Sequence, residues 1–301
     1  MMEYVARLIC LSLATYFVVQ LASGLAIVMA ARSITKAALR LRPRQAVHIL
    51  LLLRWTPAAL GLFVVGAVCI PSYLWFEPGE TGEEIGLLCL IAAALALTIW
   101  TVALISGSRQ VLRSRRLIRE FPQSSAPVMA IAGIRRTRLL ISPAVTAALN
   151  GEQLDAALRH EHAHVTARDN LKRLLLAFTP GLLPGINGFS EVQRQWVRLT
   201  EWAADDDAVA GDSHRALALA SALISVARLG SASIPLASSM IDGCDLTERI
   251  DRLLRPAEPP PAEARPVAVA VTALALLALA AMALRPATLE AAHELLERLV
   301  N

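Results

Sequence analysis

Charge and aromatic rings are scarce in this 301-residue chain: Asp, Glu, Lys and Arg make up 18% of it and Phe, Trp and Tyr only 5%, while 55% is hydrophobic. A soluble globule carries more charge than this and a disordered chain far less apolar surface, so neither class fits. Cysteine is also sparse. Cys10, Cys69 and Cys89 fall inside apolar runs, Cys244 stands alone and no CxxC pair occurs, so neither a disulfide framework nor a cysteine zinc site is implied. No internal repeat is visible.

What the chain has instead is long runs of Leu, Ala, Val and Ile, the mark of an integral membrane protein. Spans are expected at about 8–31, 49–71, 85–106 and 266–284, each near the ~20 residues a bilayer requires. The first is too long for a signal peptide and no basic segment precedes it. The net charge of +4 reflects Lys and Arg clustered beside the spans, not a nucleic-acid surface. Arg32, Lys36, Arg40, Arg42 and Arg44 follow the first span, and Arg109, Arg113, Arg115, Arg116 and Arg119 follow the third, so both stretches should face the cytoplasm. The intervening loop, with Glu77, Glu80, Glu83 and Glu84 beside Tyr73, Trp75 and Phe76, should lie outside. The expected layout is a multi-pass protein of the cytoplasmic (inner) membrane with its N-terminus outside. Residues 1–109 hold three spans, 110–262 form a cytoplasmic domain, and 263–301 hold the fourth span and a short outer tail. The Pro-rich AEPPPAEARP tethers the domain to that last span.

Within 110–262, Val128 to Ile131 and Arg138 to Ile141 read as two short strands about the turn AGIRRT, and Ser142 and Pro143 open a helix. Such a hairpin either pairs with an extended peptide or packs on the helices. Glu152 to Leu175, free of Gly and Pro, reads as one helix. It contains His160, Glu161 and His164 in the pattern H-E-x-x-H. Residues four apart share a helix face, so both imidazoles can reach one zinc ion while Glu161 sits beside them as a base for a water molecule.

A catalytic zinc usually takes three protein ligands and keeps one position open. After the broken apolar stretch FTPGLLPGINGF, too short to span, a helix from about Ser190 carries Glu201 and Asp205 four residues apart. Glu201 can supply the third ligand and Asp205 can hydrogen-bond the far nitrogen of a histidine ligand. Asp206 and Asp207 read as a solvated face. The apolar segment Arg215 to Arg228 is expected to pack against the zinc helix, and Trp196 and Trp202 read as packing or interfacial residues.

At HEHAHVTARDN, EWAAD and ERIDRLL (Glu248 to Leu254) the chain resembles the BlaR/MecR-type membrane metallopeptidases, within the gluzincins, over roughly 125–255 and the three preceding spans. The resemblance implies a mainly α fold, with polytopic membrane helices joined to a gluzincin-type metalloprotease domain bearing a small β-hairpin. It implies His160, His164 and Glu201 as zinc ligands, Glu161 as general base and Asp205 as the partner of a ligand. Asp169 matches a family position and is expected to be structural, pairing with Arg168 or capping local backbone. Two departures stand out. Only RPATLEAAHELLERLVN follows the last span where the family's antibiotic receptors carry a penicillin-binding domain, so β-lactam binding through such a domain is not expected. That tail, with Leu289, Leu296 and Leu299 on one side, can rest on the membrane or touch a separate sensor protein. And Tyr4, Tyr16 and Tyr73 all lie in the membrane region, leaving His162, His214 or Arg215 to stabilise an oxyanion, His214 being the residue nominated.

The expected activity is zinc-dependent endopeptidase cleavage of a cytoplasmic or membrane-proximal protein, by resemblance a DNA-binding transcriptional repressor in a signalling pathway. The alternatives are a quality-control or processing protease of the HtpX or CAAX type, which carries more spanning sequence between its second histidine and third ligand, and a non-catalytic membrane receptor or scaffold.

Overall fold

A computed structural model describes residues 2–76, 85–121, 128–133, 137–186, 188–230, 238–239 and 246–255. The acidic loop 77–84, the Pro-rich tether, the fourth expected span at 266–284, the tail and Cys244 lie outside these residues.

Three helices are long and apolar enough to cross a membrane. They are α1 (Met2–Ala38), α2 (Pro43–Val64) continuing through a π-helical turn (Val65–Cys69) into α3 (Ile70–Phe76), and α4 (Leu87–Glu120). The expected spans at 8–31, 49–71 and 85–106 fall on them, but each helix runs further. The third passes the expected domain boundary at 109 without a break. Pro43 suits the first turn of α2, where the amide it lacks would have no helical partner. Pro57 lies buried within α2, and proline is more frequent in membrane helices than in soluble ones.

Helix α1 packs between the other two. Cys10 and Ala14 meet Cys89 and Ala93, and Tyr16 and Phe17 meet Ala96 and Ile99, small residues letting backbones approach. Gly61 is required for the same reason, since a Cβ there would lie 2.8 Å from the Tyr16 ring. The outward face keeps large apolar side chains exposed, among them Met29, Leu52, Leu87 and Leu88, as a lipid-facing surface does.

The rest is a helical assembly with a small sheet. Strand β1 (Met129–Ala132) pairs antiparallel with β2 (Arg138–Ile141), from Met129 opposite Ile141 to Ala132 opposite Arg138, one residue later on β1 than the sequence pattern indicates. Ser238–Ser239 (β3) pairs on the other side of β1. Ser142 caps α5 (Pro143–Ala148), its hydroxyl accepting from the Val145 amide. A reciprocal capping box between Asn150 and Gln153 starts α6 (Gly151–Thr166).

The single helix expected over 152–175 is in fact two. At Arg168 the backbone turns into the left-handed region, with φ of 55°, and α7 (Asp169–Ala177) begins in a new direction. There follow α8 (Ser190–Val209), α9 (Ser213–Arg228) capped by Asp212, and α10 (Leu246–Leu254). As the apolar pattern of α9 predicts, Leu219, Ala222 and Leu223 bury themselves with Ala156 and Ala157 of α6.

A second core joins this assembly to the spans, with Val192, Trp196 and Leu199 of α8 against Ala46, Val47 and Leu50 of α2 and Ala31 and Ala38 of α1. The broken apolar stretch after α7 folds back against the spans, burying Pro180, Leu182 and Phe189 while Gly185 and Ile186 at its tip stay exposed. Arg54 donates to the carbonyls of Thr179 (3.1 Å) and Pro180 (2.9 Å), and Gln20 donates to that of Gly181 (2.7 Å). Leu182 and Phe189 pack with Ile27. Irregular backbone at the level of membrane helices persists where protein groups satisfy it, and here two polar side chains from the spans do so.

Candidate metal centre

Helix periodicity places His160 and His164 one turn apart on the buried face of α6, their rings edge to face with centroids 4.8 Å apart. Their Nε2 atoms lie 3.2 Å from one another. Helix α8 crosses α6 and brings Glu201 to them, 3.5 Å from His160 Nε2 and 3.7 Å from His164 Nε2. One ligand atom from each of the three lies within 4.8 Å of the other two, all three residues being buried, so the cluster can hold a metal ion.

The donor set fits a divalent ion on three counts. Ligands of a tetrahedral zinc at ~2.0–2.1 Å stand about 3.3 Å apart, close to these separations. Each imidazole is also held from behind: His164 Nδ1 lies 2.8 Å from Asp169 Oδ2, and His160 Nδ1 lies 3.0 Å from Asp205 Oδ1 in an ion-pair contact off the ideal hydrogen-bond line. A carboxylate behind each ring puts the proton on Nδ1 and leaves Nε2 as the donor atom. Finally, Glu161 beside the cluster is 1% exposed, and its carboxylate makes no well-aligned hydrogen bond, the backbone of Ile131 approaching it off the ideal line.

These carboxylates have their own supports. Arg249 of α10 forks onto Asp205, with contacts of 2.9 and 2.6 Å, and lies 3.3 Å from Glu201 Oε2. Pairs between Arg198 and Glu248 and between Arg252 and Asp206 flank it and clamp α10 over α8. Lys172 donates to Asp169 over 2.9 Å. Asn170 donates to the carbonyls of Ile131 and Gly133, fastening β1 beside the centre.

Electrostatics follow from this packing. Burial pushes the Glu161 carboxyl up to about 7; His160 and His164 pull the other way without prevailing. Burial works against charge on His164, but Glu201 and the Asp169 hydrogen bond overcome it and raise the imidazole to about 10. His160 is raised likewise, Asp205 and Glu201 outweighing its burial. Desolvation opposes ionisation of Glu201, yet the imidazoles and Arg249 hold it well below the carboxylate range; Asp205, likewise buried, is held down to about 2, chiefly by Arg249. Asp169 is lowered despite burial, by His164 and then Lys172. The carboxylates thus retain a proton on His164 where no other cation balances them, and a divalent ion would take that proton's place.

The structure therefore brings together His160, Glu161, His164, Glu201 and Asp205. It does not bring His214. That imidazole is 71% exposed and lies 3.7 Å from Glu152, in the first turn of α6 and two turns from His160. His162 is exposed and Arg215 pairs with Asp212. The expected role of Asp169 also changes: it holds a proposed ligand rather than pairing with Arg168. On an unbroken helix a residue five positions on points about 140° away, and only the turn at Arg168 folds it back. Arg249 was missed because it comes 44 residues after its partner Asp205. Its sole sequence signal is membership of the ERIDRLL segment. No protein family, curated protein or solved structure matches this chain.

Proposed function

We propose that the protein is a membrane-embedded zinc metalloendopeptidase of the BlaR/MecR type, acting on a cytoplasmic or membrane-proximal protein, with a DNA-binding repressor as the leading substrate. The observation that carries this reading is the convergence of His160, His164 and Glu201 beside a buried glutamate with no aligned partner. A structural zinc site closes its coordination with four protein ligands and has no use for such a glutamate. Among the described residues, the connection between α7 and α8 adds no further spanning helix, which favours this type over the HtpX and CAAX proteases.

His160, His164 and Glu201 would hold the ion, which when bound supplies Lewis-acid polarisation of water and of the scissile carbonyl. Glu161, poised near neutrality, takes a proton from the attacking water as its oxygen bonds to the carbonyl carbon. The carbonyl's π electrons move onto its oxygen. When they return, the carbon–nitrogen bond breaks and Glu161 hands its proton to the leaving nitrogen. The products are a carboxylic acid and an amine. Asp205 and Asp169 keep both imidazoles in register throughout.

The test uses the full chain in detergent, assayed for bound metal and for cleavage of a winged-helix repressor encoded beside it. Glu161→Gln should retain one zinc per chain and lose cleavage. Continued cleavage by that variant, or wild-type protein without zinc, would overturn the reading.

A further inference from the structure

Resting on the hydrolase reading, we infer that Arg173 is the residue that holds the scissile carbonyl oxygen as it acquires charge. Amide hydrolysis moves an electron pair onto that oxygen, and a fixed donor aimed at it commonly contributes about 10²–10³ in rate. Residues 110–262 contain no tyrosine, His162 and His214 are exposed, and Arg215 is partly buried and pairs with Asp212, none of them joining the buried cluster.

Among the described residues, three cations pair with carboxylates of the centre: Arg249, Lys172 and Arg173. Arg249 is 2% exposed and forked onto Asp205. Lys172 serves Asp169 and lines a small recess with Arg44 and His48 on another side. Arg173 is placed differently. Its Nη2 lies 3.3 Å from Glu201 Oε1, and its guanidinium sits 5.9 Å from the centre of the Trp196 ring. The same side chain lines a cavity of about 480 Å³, walled by Ile99 and Ala103 of α4, Gly181 and Leu183 of the stretch after α7, and Trp196 of α8. Arg173 therefore joins a proposed ligand to a volume large enough for several residues of a peptide. A guanidinium presents five N–H donors in a rigid fork, so one carboxylate and one carbonyl oxygen can share it. On the third span the wall runs from Ile99 and Ala103 to Ser106 and Gln110, so the matching substrate is a peptide segment lying beside the spans, apolar toward Ile99 and polar toward Gln110.

A purely structural Arg173 would seat Glu201 and do nothing else, and the two roles separate by experiment. The full chain in detergent is loaded with Co²⁺, whose visible absorption reports the ligand set, and titrated with inorganic phosphate as an oxyanion probe. Phosphate should perturb the wild-type absorption. Arg173→Gln should bind stoichiometric cobalt with an unchanged phosphate-free spectrum, while its phosphate affinity falls at least tenfold, and Arg173→Lys should recover part of that loss. Unchanged phosphate affinity in Arg173→Gln, loss of its cobalt, or a wild-type spectrum indifferent to phosphate would each overturn the inference and leave the metal centre standing. A wild-type chain that binds no cobalt would instead remove the metal centre itself, before any phosphate is added.

Discussion

Two imidazoles, each backed by its own carboxylate, set the chemistry of the centre, and the two pairs differ in what lies behind them. Asp169 is supported by Lys172 near the surface, so Asp169→Asn should weaken zinc binding about 10–100-fold and leave the fold intact. Competition against a chelator measures this. Asp205→Asn also deprives the buried Arg249 of the carboxylate it forks onto, leaving the longer contact with Glu201, and losing one member of a buried pair costs up to about 3–5 kcal/mol. That variant should lose fold stability as well as zinc, which denaturant titration of the zinc-free protein will show. The effect of pH follows from the same groups. The unfolded chain releases its Glu161 proton near 4.5, whereas burial keeps that proton in the fold up to about 7. This contribution to stability is therefore present below 4.5 and lost as pH rises through about 7. His164, overcoming its burial through Glu201 and Asp169, acts in the same sense, present below 6.5 and lost as pH rises through about 10. Asp205, held down to about 2 against burial by Arg249, contributes above 3.8 and loses that contribution only as pH falls through about 2. Between pH 6 and 9 the melting temperature of chelator-treated protein should fall, while the increment produced by added zinc should grow as the ion displaces the His164 proton. A flat increment across that range would contradict a protonated His164 in the zinc-free site.

Helix ends decide which of these residues meet. Arg168 occupies the left-handed region without being glycine, and that conformation costs about 1 kcal/mol or more in an ordinary residue. Arg168→Gly should keep its zinc with stability equal or slightly raised. Arg168→Val, β-branched at a positive φ, should lose about 1–2 kcal/mol and weaken zinc binding by moving Asp169 away from His164. Melting temperature and metal content together distinguish these outcomes. The same break shows how much the sequence discloses. His160, Glu161 and His164 could be read directly because a helix of 3.6 residues per turn imposes their relation locally. Glu201 and Asp205 followed because the chemistry requires a third ligand and a carboxylate pair four residues apart occurs downstream. Helix α5 opens at its expected Ser142 cap, α8 starts at the expected Ser190 without a side-chain cap, α9 begins two residues before the expected Arg215, and β1 and β2 fall within a residue of their patterns. Asp169 could not be read this way, since no glycine or proline marks the break before it and its partner faces it only once the chain has turned. Arg249 and Arg173 were hidden for another reason: each meets the centre through packing between helices, which no periodicity encodes.

At the scale of the molecule, composition divides the chain into spans and a domain, but burial does not respect that line. Val192, Trp196 and Leu199 lie on the helix that carries Glu201, and they are buried against α1 and α2. Arg54 and Gln20, within the spans, hold the backbone between α7 and α8. Side chains of this kind are each worth about 1.5–3 kcal/mol when fully buried, so exposing the three on α8 would remove several kcal/mol from a domain whose whole stability is about 5–15 kcal/mol. Without Arg54 and Gln20, the carbonyls of Thr179, Pro180 and Gly181 would also lose their donors. A chain beginning at Pro122 should accordingly fail to bind stoichiometric zinc and should aggregate, although it keeps every proposed ligand. The full chain in detergent should bind one zinc. Arg54→Met provides the graded version, removing two hydrogen bonds while keeping an apolar side chain of similar length. It should lower the melting temperature and loosen the turn that walls the cavity, with protease nicking between residues 178 and 189 as the readout. A Pro122 fragment that is monomeric and binds zinc as tightly as the full chain would show that the spans only anchor the centre and do not build it.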